Sequence, residues 1–342
     1  MSTIQPYKAL ALQVRCDAVN ECTPLQAKEK MINAIERLEK QVKASKAFIG
    51  QDLQLVVLPE YFLSGFPVNE TISEWQEKGC LEPDGEVYQR LFQVASSAGI
   101  YLSGNVYELD NHFPDLYFQT SFIINPDGKL ILRYRRLNSM FAPTPHDVLS
   151  KYIGVYGEDS LFPVAETPIG NLACIASEEI LYPEIARCLA MKGAEVFLHS
   201  TSEIGTTMLS QKNIAKMARA IENMAYVVSA NSAGIYGYSI PAQSTDGHSQ
   251  IVNYEGVKLC EAGWGESMVA QATIHLDALR HHRQRPGMGN FLSRQRFELF
   301  ANTYQQSVYP ANSLLDKKIS RTHFMEKQQE VIKQLQQKGI IN

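Results

Sequence analysis

Short apolar runs alternate along the chain with longer segments in which apolar residues recur every three or four positions. ALALQV at 9–14 and LQLVVL at 53–58 read as buried strands, because their apolar residues are nearly continuous. Between them, PLQAKEKMINAIERLEKQVKASKAF places Ile32, Ile35, Leu38 and Val42 on one helical face and its charges on the other. The same rhythm predicts a helix over roughly Gly85–Ala98, a strand at IYLSGNVYEL, and two strands in LYFQTSFIINPDGKLILRYRR joined at Pro126-Asp127-Gly128. A loop with several Pro and Gly spans Phe141 to Phe162. Strand NLACIAS, a helix from about Pro183 to Lys192, strand AEVFLHS, helix NIAKMARAIENMA and strand YVVSAN follow in turn. GHSQIVNYEGVKLCE reads as a further hairpin, with a strand near Val269–Leu276 and a polar helix after His323.

Strands that alternate with helices yet include hairpins call for a mixed sheet covered by helices, an α/β (α+β layered) architecture. No repeat or low-complexity tract interrupts the pattern, and composition shifts only near residue 305. The expected division is therefore one domain over 1–305 and a tail with a polar helix over 306–342.

Composition changes the picture mainly by exclusion. Of the 342 residues, 32 are Lys or Arg and 36 Asp or Glu, a net charge of −4 that offers no reason to bind nucleic acid or an anionic membrane. No run is long enough to span a membrane and no signal-peptide core is visible, so a cytoplasmic address is expected. Cys16, Cys22, Cys80, Cys174, Cys188 and Cys260 are scattered without CxxC or Cys/His spacing, which indicates neither a metal nor a disulfide framework. A dinucleotide cofactor would require a Gly-rich turn after the first strand, and ALALQVRCDAVN has none. The partners left are small molecules or further copies of the chain.

Three segments place a reactive side chain at the end of an apolar strand, where α/β proteins commonly build sites. Glu60 closes LQLVVLPE beside Tyr61 and Phe62, Arg136 ends LILRYRR, and Ser177 ends NLACIAS ahead of Glu178 and Glu179. Taken singly, each has a plain structural reading: a capping or ion-paired Glu, a solvated edge strand, a capping Ser. Strand alternation puts Arg133 and Arg135 on one side and Tyr134 and Arg136 on the other.

The ordered set LPEYFLSGFP, NPDGKLILRYRRLN, SEEILYPEIARCLAMKGAEV, ARAIENMAYVVSANSAG and GHSQIVNYEG, over about residues 7–300, resembles the nitrilase superfamily of carbon–nitrogen hydrolases. The resemblance implies a four-layer αββα sandwich that forms a homodimer or higher oligomer. It also implies a Glu-Lys-Cys catalytic set acting on a small amide, N-carbamoyl or related carbonyl substrate. Glu60 matches the glutamate. Arg136 stands where the family has Lys, and Ser177 where it has Cys. Cys174 lies three positions away, on the opposite strand face. The family's further carboxylate has no counterpart at Thr144, leaving Asp147, with His146 beside it, or Glu158 as candidates. Tyr61, Glu179, Asp147 and His146 are the expected substrate-binding residues, and the loops Met140–His146 and Ser202–Ser210 are expected to line the pocket.

Serine needs stronger base assistance than a thiol, and arginine keeps charge but cannot shuttle a proton. Three readings stay open. The protein is a hydrolase with a Glu60-Arg136-Ser177 set, a pseudoenzyme that binds a ligand or acts as a scaffold, or an active amidase altered to trap a complex.

Overall fold

In the computed structural model, residues 5–204, 209–315 and 320–342 are described. Among them two sheets face each other. The first runs in the order Gln271–Ile274, Tyr7–Ala11, Leu53–Val57, Tyr101–Leu109, Tyr117–Ile124, Leu130–Arg135, with Cys80–Leu81 paired to the far end of Tyr101–Leu109. The second runs Lys258–Glu261, Gln250–Val252, Tyr226–Ala230, Val196–Ser200, Gly170–Ala176, Ala165–Thr167. In each sheet the three central strands are parallel and antiparallel strands complete the edges.

Side-chain alternation explains the layering. Ala9, Ala11, Leu55 and Val57 of the first sheet meet Leu172, Cys174, Leu198 and Val228 of the second in one buried cluster. The opposite faces carry the helices. Leu10, Leu53 and Val56 pack on Pro24–Ile49 and Glu86–Ala98, and Ala173, Ile175 and Phe197 pack on Pro183–Met191 and Gln211–Asn223. The αββα sandwich expected from the sequence is thus present. Burial of these apolar faces, at about 25 cal/mol per Å², is what holds the layers together.

Several local readings shift. The first long helix is capped by Thr23, which exchanges hydrogen bonds with Gln26, and it buries Met31, Ile35, Leu38 and Val42, so Met31 rather than Ile32 lies on the inner face. The segment read as a Pro/Gly loop contains the helix Leu149–Tyr156. It has only eight residues, one of them Gly154, and buries only Tyr152, which leaves little periodicity to read. In the helix Pro183–Met191, Ile185 and Leu189 are buried against the chain's own second sheet, leaving Met191, and Tyr182 just before the helix, as exposed large apolar residues.

The strand Leu130–Arg135 is an edge strand, as its local features suggest, but it is not a solvated one. Arg135 is 4% exposed, lies under the rings of Phe118, Tyr152 and Tyr156, and pairs with Asp110 and Glu108. Arg133 joins Glu108 at 2.9 Å on the same side, while Tyr134 points into the inter-sheet core, so the alternation holds.

The tail folds back onto the domain. Leu314 and Phe324 complete a cluster with Phe113, Phe118, Val148 and Tyr152, and the polar helix spans Thr322–Gln337. Among the described residues no helix is long and apolar enough to cross a membrane.

Candidate active site

The two sheets bring the C-terminal ends of their parallel strands together. Ser200 Oγ donates to Leu58 O at 2.7 Å, and Glu60 N donates to Thr201 O at 3.3 Å, tying the turn after Leu53–Val57 to the turn after Val196–Ser200. Two residues here have left-handed backbones, Tyr61 at φ 35° and Ser177 at φ 49°. Non-glycine residues adopt that conformation only when the surroundings impose it.

Glu60 is 2% exposed and both its oxygens are in use. Oε1 accepts from Gln119 Nε2 at 2.6 Å and from Arg136 Nη1 at 3.2 Å, while Oε2 accepts from Ser202 N at 3.1 Å. Gln119 is held in turn by Asn105, whose Oδ1 accepts its second amide hydrogen at 2.9 Å. Tyr61 follows directly, with its amide 3.4 Å from Asn105 Oδ1 and its ring stacked on Tyr107.

Arg136 sits one residue beyond its strand, where its N–H still pairs with Gln119 O. Its Nε donates to Asn138 O at 2.7 Å, Nη1 to Glu60 and to Gln119 Oε1 at 2.7 Å, and Nη2 to Glu178. Burial would lower its affinity for a proton, but Glu60, Glu178 and Glu179 outweigh that and raise it, so the group is permanently charged.

Ser177 starts a short 3-10 turn and is 6% exposed. Its Oγ accepts from Lys212 Nζ at 3.4 Å, and the same ammonium reaches Thr201 Oγ1 at 3.3 Å. Its carbonyl lies 2.8 Å from His199 Nε2, and His199 Nδ1 lies 2.8 Å from Ser229 Oγ. A carbonyl only accepts, so Nε2 carries the proton and Nδ1 accepts from Ser229. Burial and the nearby Lys216 ammonium hold this imidazole down to about 3, which keeps it neutral and fixes the Ser177 turn. Cys174 points into the inter-sheet core, 3.8 Å from Ser103 Oγ, and burial pushes its thiol up to about 12.

Glu179 is fully buried and braces the site from behind. Oε1 accepts from the amides of Leu137 at 2.6 Å and Asn138 at 3.1 Å, while Oε2 accepts from Tyr134 OH at 2.7 Å and Ala176 N at 3.2 Å. One carboxylate thereby joins the Arg136 turn to the Ser177 turn. Burial raises it to about 7, against the pull of Arg136 and these donors. With a native value above the ordinary 4.5, its protonated form is the favoured one in the fold. Its contribution to stability is therefore full below about pH 4.5 and is lost as pH rises through 7. Glu179→Gln should remove roughly 3 kcal/mol of that pH dependence between pH 5 and 8. Urea titrations of both proteins at the two pH values measure it, and an unchanged difference would assign the dependence to another group.

Glu60 and Arg136 are thus in direct contact, and Ser177 is linked to them through the Thr201 turn and through its neighbour Glu178. Among the described residues no hydrogen bond joins Ser177 Oγ to Glu60 or Arg136. Asp147 and His146 are placed otherwise. Asp147 accepts from Thr144 and, at 2.8 Å, from Ser313 Oγ, and the carbonyls of His146 and Asp147 receive the amides of Asn312 and Leu314. Both hold the C-terminal tail. Of the loop expected over Ser202–Ser210, residues 205–208 lie outside the described residues. Ser202 reaches Glu60, and Glu222 and Asn223 bond to Arg219, which donates to Ile180 O and Leu181 O behind the Ser177 turn.

Sequence reasoning missed Gln119, Asn105 and Lys212. The first two left a signal, since an amide inside an apolar strand needs a buried partner. Lys212 left a weaker one: it lies four residues before Lys216 on one helical face, a like-charge spacing that costs stability unless something anionic faces it.

A carbon–nitrogen hydrolase family model matches residues 24–284. The chain is 29% identical over 250 residues to the omega-amidase NIT2 of Xenopus tropicalis, covering 73% of this chain and 86% of that one. It is 27% identical over 266 residues to a formamidase of Helicobacter acinonychis (strain Sheeba), covering 75% and 70%. In structure it is similar to Saccharomyces cerevisiae Nit3, a member of branch 10 of the nitrilase superfamily, with a TM-score of 0.63, 22% identity, and 82% of this chain and 94% of that one covered.

Proposed function

This chain belongs to the carbon–nitrogen hydrolase family, and from that membership and the geometry above we propose that it holds a small carbonyl- or carboxylate-bearing ligand without carrying it through an acyl-enzyme. Acyl transfer needs a nucleophile, a base that can take its proton, and free donors for the oxyanion. Ser177 Oγ accepts from an ammonium and, among the described residues, meets no carboxylate. Glu60 has both oxygens committed.

The observation that carries the reading is the guanidinium of Arg136. Four of its five N–H donors are spent, on Asn138, Glu60, Gln119 and Glu178, so it acts as a keystone between the site's carboxylates. It neither gives up a proton nor stands free for an oxyanion.

A second reading, a hydrolase with Ser177 as nucleophile, is favoured by the strained φ of Ser177 and by the cation beside its hydroxyl. Ammonia release from a panel of amides and N-carbamoyl compounds separates the two. The native protein should turn over at least about a thousandfold more slowly than the roughly 10 per second of an ordinary enzyme, and Ser177→Ala should leave that residue of activity unchanged. Turnover near the ordinary rate that Ser177→Ala abolishes would establish the serine hydrolase instead.

A further inference from the structure

We propose that Arg321, in the C-terminal segment, is a positioning residue that ties the loop following Glu60 to the loop following Arg136, and that the tail around it is the anchor of the second loop. The inference rests on the ligand-binding reading only in taking these two loops as walls of the ligand pocket.

The guanidinium of Arg321 is shared among three segments far apart in the chain. Nε donates to Glu70 O, Nη1 to Phe141 O at 3.2 Å and Nη2 to Tyr117 OH at 3.4 Å. Glu70 ends the loop that starts at Glu60, just before Thr71 caps the helix Ile72–Gly79. Phe141 lies in the loop that starts at Arg136. Tyr117 is fully buried, its ring meets Tyr107 edge-on at 5.4 Å, and Tyr107 stacks on Tyr61 at 6.1 Å. The third contact thus touches an aromatic row that ends on the residue after Glu60. All three acceptors are neutral oxygens and, among the described residues, no carboxylate lies within 4 Å of this guanidinium. What Arg321 supplies is geometry, a planar fork whose donors point in fixed directions.

The loop beyond Arg136 depends on the tail for its hold on the rest of the chain. Inside the loop, Ser139 Oγ accepts from the amides of Phe141 and Ala142, and the Asp147 carboxylate accepts from the amide of Thr144. Among the described residues, every hydrogen bond that leads from 139–147 to a distant segment goes to 312–321. Phe141 O accepts from Arg321, His146 O from Asn312 N at 2.9 Å, Asp147 O from Leu314 N at 3.0 Å, and Asp147 Oδ1 from Ser313 Oγ at 2.8 Å. Ser313 spends its proton there and accepts in turn from His323 Nε2 at 3.1 Å. Leu314 and Phe324 pack in one cluster with Phe118 and Tyr152, two of the rings that enclose Arg135. The tail therefore braces Arg136 from both directions, through the strand before it and the loop after it.

Hydrogen exchange on the full chain, read by mass spectrometry without ligand, tests the tie. Arg321→Ala should speed exchange over 139–147 about tenfold, the loss expected when charge-assisted hydrogen bonds are removed from a locally opening segment. Over 66–71 the acceleration should be smaller, because Asn20 and Lys78 also hold Glu70. The central strand Val196–Ser200 should keep its native rate, and Arg321→Lys, with all its donors on one ammonium, should fall between the native protein and the alanine variant. No acceleration over 139–147, or none over 66–71, overturns the tie. Equal acceleration in Val196–Ser200 reduces Arg321 to general stability and overturns it as well. Propionamide and propionate, each added until its thermal upshift levels off, then test the pocket. At least one should slow exchange over 139–147 in Arg321→Ala about tenfold. Binding that leaves both loops unmoved overturns their place as pocket walls. Failure of both compounds to bind overturns the ligand-binding reading and leaves the tie standing on its exchange rates.

Discussion

Ser177→Cys combined with Arg136→Lys should switch on amide or N-carbamoyl hydrolysis, with a gain on the order of 10²–10⁴ over the native protein. Neither change alone should do so. A cysteine at 177 would supply a thiol with an ordinary pKa near ~8.5 and high intrinsic nucleophilicity, at a turn whose backbone is already set by His199 and Glu179. The single Ser177→Cys variant should react with iodoacetamide yet release product slowly, because Arg136 still ties Glu60 to Glu178. A lysine at 136 has a single compact ammonium and cannot serve Glu60, Gln119, Glu178 and Asn138 O at once, so it frees Glu60 for proton transfer. Ammonia release reads the gain, and the mass of an accumulated acyl-protein separates attack from release. A double variant no faster than the native chain would show that the pocket, and not these two side chains, limits the chemistry.

Arg136→Ala should cost stability on a scale of about 3–5 kcal/mol, because it removes one member of a buried ion pair and leaves the other uncompensated. Glu178 can turn to water, but Glu60 at 2% exposure cannot, and Gln119 Oε1 loses its donor as well. Adding Glu60→Gln to the same protein should recover a large part of the loss. Urea midpoints at constant slope give both numbers. A loss below about 1 kcal/mol, the range of an exposed pair, would mean that Arg136 is not a keystone.

How much of this could be read beforehand depends on distance along the chain. The period-two alternation in LILRYRR correctly put Tyr134 opposite Arg133 and Arg135, since it depends only on neighbours. The strand ends at Glu60 and Ser177 were visible for the same reason. Periodicity says that a face is covered, though, and not by what. Arg135 gave no sign of the rings from 118, 152 and 156 that enclose it, and Asp147 gave none of Ser313, 166 residues further on. Lys212 left only its spacing to Lys216 as a signal, because its partners, Thr201 and Ser177, come from the ends of two different strands. The grip of His146 and Asp147 on the tail at 312–314 is equally non-local, resting on amides that carry no side-chain pattern.

The pairing of Tyr7–Ala11 with Gln271–Ile274 bears on how the protein is made. Tyr7 emerges from the ribosome 267 residues ahead of its partner Ile274. At about 5–20 residues per second the nascent first sheet waits roughly 15–50 s with that edge of its N-terminal strand unpaired. An exposed edge invites association with other chains. The strand therefore needs shielding throughout that interval, and the yield of native protein should depend on chaperone capacity more than on the stability of the finished sandwich.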